Sequence, residues 1–234
     1  MKIVFDLHTH TLFSAHAYST AYENIMCAKE NGLSGIAVTD HGCAMVDAGH
    51  PWHFNNIGAI GRTVNGITVL KGIEANILNE NGDLDFNADE WGENLEVVIA
   101  SVHSPIYEAH DEKEQLSTML KVAENPYVSI MGHPERCRYE YDFEPVVKKA
   151  MEYEKIVEIN QHSLEMGGFY TKRCTELAKI CKKLGAVVAV DTDAHFCTNI
   201  GRLDTALKML EEIGFDEKLV INADYEKTIE KFCK

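Results

Sequence analysis

The stretch KIVFDLHTHTLFSAH, Lys2 to His16, begins as an apolar strand and ends as a polar loop crowded with imidazole rings. Ile3, Val4, Phe5 and Leu7 supply the β-branched and aromatic side chains of a strand covered on both faces. His8 and His10 then flank Thr9, and alternate residues of an extended chain project to one side, so the two rings can reach one point. His16 lies in the loop beyond, within reach of the same strand end.

An apolar run closing on polar, mostly titratable residues recurs along the chain. GIAVTDH, TVLKGIEANI, EVVIASVH, VSIMGH, KIVEINQ and AVVAVDTDAH bring the runs to seven. Each is nearly continuous in apolar residues, as strands buried on both faces are. Between them lie amphipathic segments such as STAYENIMCAKENG, EKEQLSTMLKVAEN, FEPVVKKAMEYE and YTKRCTELAKICKKLG, with Gly32 and Gly185 where a helix would end. This alternation predicts an α/β protein with a parallel sheet. Asn79 to Asn94, NENGDLDFNADEWGEN, reads as turns rather than a helix. The expected fold is therefore a distorted seven-stranded parallel (β/α)7 barrel, TIM-like, with its site at the carboxyl ends of the strands. An open doubly wound sheet is the alternative, but no glycine-rich phosphate loop follows the first strand.

With 234 residues, 45% of them hydrophobic, the chain can bury a full core, and residues 1–234 read as one domain. No apolar run is long enough to span a bilayer and no signal-peptide core opens the chain, so a soluble, cytoplasmic protein is expected. The seven cysteines are dispersed and form no C-x-x-C pair, which points to reduced thiols rather than disulfides or a zinc–thiolate knuckle. A formal net charge of −15 repels a polyphosphate backbone, so extended nucleic acid is not an expected partner.

In a parallel barrel the carboxyl ends of all strands share one face. His8 and His10 end the first run, His41 the second, Glu74 the third, His103 the fourth, His133 the fifth, and Asp193 with His195 the seventh; the sixth offers no obvious candidate. One histidine at a strand end is most simply a hydrogen-bonded structural ring. Seven of the eleven histidines, converging with Glu74 and Asp193, are a different matter, because so many polar groups in apolar surroundings must be satisfied. Metal ions do that. Imidazole and carboxylate donors without thiolates suit zinc first, with manganese or iron as alternatives. Nine donors are too many for one ion and enough for two or three, with Glu74 bridging.

DLHTHTLFSAH, TDHG, GIEANI, SVHSP, GHPER and DTDAH resemble, in order and spacing, the motifs of the PHP (polymerase and histidinol phosphatase) superfamily. HAYST and HPWHF are most similar to its YcdX-like phosphatase branch, whereas Glu135–Arg136 in HPER looks like its phosphotyrosine phosphatases. The similarity runs from Met1 to about Leu203. It implies a trinuclear metal centre. Residue by residue, it implies His8, His10, Glu74 and Asp193 on one ion, Glu74, His103 and His133 on a second, and His16, His41 and His195 on a third.

The expected chemistry is hydrolysis of small phosphomonoesters by a phosphatase in which two ions share a water whose pKa falls from ~15.7 toward ~7. Glu74, Asp193 and His195 form the expected catalytic core. Arg136, Arg202 and Arg62 are the candidate phosphate-binding residues, since a guanidinium fork matches phosphate oxygens. Asp6 and Asp40, each just ahead of a candidate ligand, could orient its neighbours or simply cap a turn. His50 to Gly58 could form a lid over the leaving group, although Trp52 and Phe54 fit a loop packed on the rim. His110 and His162 read as surface rings. Two rival functions stand beside this one: a phosphodiesterase or exonuclease of the same superfamily, and a non-catalytic regulatory module braced by its metals.

Overall fold

The computed structural model describes residues 1–46 and 48–233. Its strands are β1 (Phe5–Asp6), β2 (Gly35–Val38), β3 (Thr63–Val64), β4 (Ile67–Asn76), β5 (Val97–Ser101), β6 (Ile130–Met131), β7 (Ile156–Asn160) and β8 (Val188–Asp191). All but β3 run parallel, in the order β1-β2-β4-β5-β6-β7-β8, and curl into a nearly closed seven-stranded barrel. The outer shell comprises α1 (Ala21–Glu30), α2 (Trp52–Asn56), α3 (Ala88–Trp91), α4 (Glu112–Glu124), α5 (Phe143–Glu152), α6 (Gln161–Glu165), α7 (Gly168–Leu184), α8 (Asp204–Glu212) and α9 (Tyr225–Phe232).

The expected distorted (β/α)7 barrel is the observed fold, with one addition. β3 pairs antiparallel with the start of β4 through Asn65–Gly66, at φ of 52° and 87°. Asn-Gly in that conformation is the tight hairpin turn whose twist suits paired strands. Between β4 and β5 the chain makes only the single turn of α3, in keeping with the turn-rich reading of Asn79 to Asn94. Helix boundaries follow local chemistry. Thr20 Oγ1 accepts from Glu23 N at 3.2 Å and Glu23 Oε2 accepts from Thr20 N at 2.7 Å, a reciprocal cap that starts α1. Gly185, left-handed at φ 73°, ends α7.

Alternation along the strands sorts side chains between two environments. Leu70, Val97, Ile99, Ile130, Ile156 and Ala189 fill the barrel interior with Phe5 and Leu7, and Phe232 of α9 packs into the same cluster. Burying each large side chain contributes about 1.5–3 kcal/mol. Two or four residues further along come Thr39 and His41 just past β2, Glu74 on β4, Ser101 at the end of β5 with His103 just past it, Glu158 and Asn160 on β7, and Asp191 at the end of β8 with Asp193 just past it. The apolar plug is thus succeeded by a polar layer at the carboxyl ends.

Closure between β8 and β1 is made largely by side chains. Higher up the backbone pairs, His10 N donating to Ala194 O and Asp193 N to His8 O, each at 2.9 Å. Lower down, buried polar side chains stand in for the ladder. Asp191 Oδ1 accepts from Leu7 N at 2.7 Å, and Asp6 accepts from Thr192 N at 3.1 Å and Gly201 N at 3.0 Å. Asn222 Nδ2 donates to Phe5 O at 3.0 Å and Val190 O at 2.8 Å, while its Oδ1 accepts from Val190 N at 3.0 Å. One amide therefore bridges the first and last strands. Asn222→Ala should lower stability by about 2–3 kcal/mol, because it strands buried backbone groups on both strands. Denaturant unfolding measures this, and a loss within ~0.5 kcal/mol, the range of an ordinary surface change, would refute the bridging role.

Candidate metal centre

Glu74 lies at the middle of the polar layer, wholly buried. Its Oε1 is 3.3 Å from His8 Nε2, 3.3 Å from His103 Nε2 and 2.9 Å from His133 Nε2. Its Oε2 is 3.5 Å from His10 Nε2 and 2.7 Å from His41 Nδ1. Asp193 Oδ1 faces His10 Nε2 at 3.1 Å and His8 Nε2 at 3.6 Å. Three sets bring their donor atoms within 4.8 Å of one another: His8, His10 and Asp193; His41, Glu74 and His103; and His10, His41 and His195. His16 completes the cluster, its Nε2 3.2 Å from His41 Nε2. The structure therefore brings all nine residues anticipated as metal ligands to one strand-end face. It does not divide them cleanly into the grouping implied by the resemblance, since His41 meets both Glu74 and His16.

The rings are held from behind. His8 Nδ1 donates to Glu158 Oε1 at 2.7 Å, His103 Nδ1 to Asn76 Oδ1 at 2.7 Å, and His195 Nδ1 to the Asp193 carbonyl at 2.9 Å. His10 Nδ1 donates to Ser14 Oγ at 3.2 Å, and Ser14 Oγ in turn donates to Asp40 Oδ1 at 2.8 Å. Each such bond fixes the tautomer and leaves Nε2 facing the cluster. Asp40 also accepts from Thr11 N and Oγ1, both at 2.7 Å, so it orients rather than merely caps. Backbone geometry helps as well: His133 and Asp193 adopt φ of 24° and 56°, which non-glycine residues avoid. Alternation from the inward Ile130 would send residue 133 outward, and its positive φ brings the ring back to Glu74.

The electrostatics describe a site built around cations. Burial should raise the pKa of Glu74, yet His8, His103 and His41 hold it well below the usual carboxylate range. Asp193 is likewise held down against burial by His8, Arg136 and His10. Burial would lower His8, but Glu158, Glu74 and Asp193 hold it well above the usual histidine value. Burial and the neighbouring His41 and His195 push His10 far down. His8 Nε2, His41 Nδ1, Glu74 Oε2, His133 Nδ1 and His195 Nε2 are buried without a hydrogen-bond partner. Nitrogen and oxygen donors placed ~2.0–2.1 Å from a tetrahedral zinc lie about 3.4 Å from each other. The 2.9–3.6 Å separations of the Nε2 atoms from Glu74 and Asp193 match that spacing, so the donor set fits divalent ions.

Beside the cluster opens a cavity of about 530 Å³. Arg136, Arg202 and His162 line it; His162 is the exposed ring its sequence context suggests, but one placed at the cavity. Arg136 is largely committed: it donates to Asp193 Oδ2 at 2.9 Å, Asn160 Oδ1 at 2.6 Å and Ser163 Oγ at 2.7 Å. Arg202 is exposed, and its guanidinium has no hydrogen bond or ion pair among the described residues. Arg62 does not reach the cavity. Its side chain binds Glu96 and the Cys233 thiol near α9, which removes the reason to place it on phosphate. His53 stacks on Phe13 at 3.8 Å and pairs with Asp40 at 3.2 Å, while Phe54 is buried against Trp91, so His53 and Phe54 pack the His50–Gly58 segment on the rim; Trp52, expected to share that role, is 75% exposed. His110 is exposed and pairs with Glu114.

Glu158 and Asn160 were not anticipated from the sequence. Glu158 accepts from His8 Nδ1 and, at 2.6 Å, from His133 N, so the strand without an obvious ligand supplies the clamp for two of them. A signal existed: a carboxylate and an amide at alternate positions of an otherwise apolar run, IVEIN, must face something polar.

A family model described as "PHP domain" matches residues 6–170. A protein of Clostridium novyi (strain NT) named "Probable phosphatase" is 39% identical over 230 residues, covering 98% of this chain and 94% of its own length. Another so named, from Thermoanaerobacter sp. (strain X514), is 40% identical over 236 residues, covering 100% and 96%. Among solved structures, the histidinol phosphate phosphatase of Lactococcus lactis subsp. lactis, complexed with zinc, L-histidinol and phosphate, superposes with a TM-score of 0.69 at 22% identity, covering 92% of this chain and 95% of that one. The fold is shared with that enzyme, and at the level of sequence the chain belongs to the PHP domain family.

Proposed function

We propose that this protein is a metal-dependent phosphomonoesterase acting on small phosphorylated substrates, with up to three divalent ions, zinc in first place and manganese or iron as alternatives, held by His8, His10, His16, His41, Glu74, His103, His133, Asp193 and His195. The observation that carries this reading is the buried convergence of nitrogen and oxygen donors around Glu74, among them His8 Nε2, His41 Nδ1, Glu74 Oε2 and His195 Nε2 without a hydrogen-bond partner, which opens into a cavity beside a free guanidinium. Ions bound there supply Lewis acidity toward phosphoryl oxygens and make water acidic enough to deprotonate near neutral pH.

The chain's own residues do the positioning. Arg202 meets the phosphoryl oxygens with a planar fork and no competing partner among the described residues. Arg136 holds Asp193 Oδ2, so Oδ1 stays turned to His8 and His10. Hydrolysis adds water across the ester: an oxygen from water bonds to phosphorus, the phosphorus–ester oxygen bond breaks, and the departing alkoxide takes a proton. The net charge of −15 and a cavity of about 530 Å³ favour a compact monoester over a polynucleotide. Relatives named as phosphatases over nearly their whole length favour an enzyme over a regulatory module.

Dialysis against a strong chelator should abolish hydrolysis of p-nitrophenyl phosphate, and added zinc or manganese should restore it; undiminished turnover in metal-free protein would sink the proposal. Cleavage of single-stranded DNA in preference to monoesters would favour the phosphodiesterase reading. Arg202→Ala should lower kcat/KM by about 10–100-fold, the worth of a charge-assisted hydrogen bond at ~1.5–3 kcal/mol. Arg62→Ala, remote from the cavity, should leave it unchanged, and steady-state kinetics on the two variants decides between the arginines.

A further inference from the structure

The turn-rich segment between β4 and β5 places one carboxylate where a barrel crossover would ordinarily place a helix. Asp85 is half-buried. Its Oδ1 accepts from Asn76 N at 2.7 Å, and its Oδ2 accepts from Asn76 Nδ2 at 2.6 Å and Ala44 N at 2.8 Å. Asp85 N donates back to Asn76 O at 3.2 Å. A β-carbon at Gly42 would lie 2.3 Å from both carboxylate oxygens, so the loop that follows His41 is glycine where it passes this group. Every polar contact that Asp85 receives is a donor.

We infer that Asp85 is a positioning residue that sets the tautomer of His103 through Asn76. A primary amide can present either its oxygen or its NH2 to a neighbour. Asp85 removes the choice together with the Gly42 carbonyl, because both can only accept and so take the Asn76 NH2, at 2.6 Å and 3.2 Å respectively. Asn76 Oδ1 must then face His103, 2.7 Å from Nδ1. An oxygen there requires Nδ1 to carry the proton, which leaves the lone pair on Nε2, 3.3 Å from Glu74 Oε1. If Asn76 turned over, its NH2 would face Nδ1, place the proton on Nε2 and take that nitrogen out of ligation. Asp85 therefore reaches the centre through two bonds, and through Ala44 it also ties down the loop after His41. This inference rests on the reading of the cluster as a metal centre.

The test is Asp85→Asn, nearly isosteric but with a donor where only acceptors fit. Either orientation of the new amide opposes an NH2 to an existing N–H, that of Asn76 N on one side or those of Asn76 Nδ2 and Ala44 N on the other, and turning Asn76 over relieves only its own side-chain clash. Zinc affinity, measured by competition with a chromophoric chelator, should fall about 10–100-fold, the usual cost of losing a group that orients a ligand. A second arm repeats the substitution in a His103→Ala background, where most of that loss should disappear, since the route to the metal through Asn76 is gone and only the tie to Ala44 remains. Nitrogen-15 spectra of the metal-free protein at pH 8 should show His103 protonated on Nδ1 in the wild type and shifted toward Nε2 in the variant. An equal loss with and without His103, or an unchanged tautomer, would mean that Asp85 only braces the loop and would overturn the inference. Wild-type affinity retained by the variant would overturn it too, with the metal-centre reading untouched. A wild-type protein that holds no divalent ion would overturn both.

Discussion

A carboxylate with no access to water, ringed by five imidazoles, is the constraint on which the remainder of the molecule depends. Removing Glu74 from solvent without compensation would cost several kcal/mol, and its neighbours are neutral bases unless protonated or bound to a cation. In the metal-free protein the compensation comes partly from His8, which its surrounding carboxylates hold well above the usual histidine range even though burial opposes it. Protons and metal ions thus compete for one set of lone pairs. The charge alternation within the barrel mouth follows directly: Glu158 behind His8, Arg136 behind Asp193, and Asp40 behind Ser14 and His10.

Such a cluster shapes the scaffold beneath it. Rings and carboxylates aimed inward near the carboxyl ends leave a large apolar plug possible only lower down, where Phe5, Leu70, Ile99, Ile130 and Ile156 provide it. The strand that carries His8 and His10 cannot pair regularly with the strand that carries Asp193 over its whole length. Asp6, Asp191 and Asn222 take over the missing bonds. Buried carboxylates are a costly way to close a barrel, and the seam works because each oxygen in use meets a backbone or hydroxyl donor at 2.6–3.1 Å.

How much of this could be read beforehand varied with how local each signal was. Near-continuous apolar runs ending in His8, His41, Glu74, His103, His133 and Asp193 carried both the parallel barrel and the face on which the site would form, because strand period and burial are properties of short segments. The family motifs were equally legible. Glu158, Asn76 and Asp85 were not singled out, since their role depends on which histidine stands across the barrel, a relation set by three-dimensional register. Arg62 shows the converse. Its position in a loop after β2 suggested the mouth, but β3 and its Asn65–Gly66 hairpin pair with the amino-terminal start of β4, which sets Arg62 beside Glu96 and Cys233.

The two non-glycine residues with positive φ at the centre, His133 and Asp193, make the same argument from the backbone. Left-handed geometry costs of order 1–3 kcal/mol for a side-chain-bearing residue and persists only where the surroundings overdetermine it. Both are heavily constrained: His133 N donates to Glu158, Pro134 follows it, and Asp193 is held by Arg136, His10 and a backbone bond to His8. Their φ values are therefore the geometric consequence of bringing donors from neighbouring strands closer together than regular strands allow. Other residues with positive φ, Asn65 and Glu154, lie in exposed turns where no such convergence is required. Among the described residues His133 and Asp193 are the buried non-glycine positions with positive φ, so the places where local preference is overruled in the interior mark where the chemistry is.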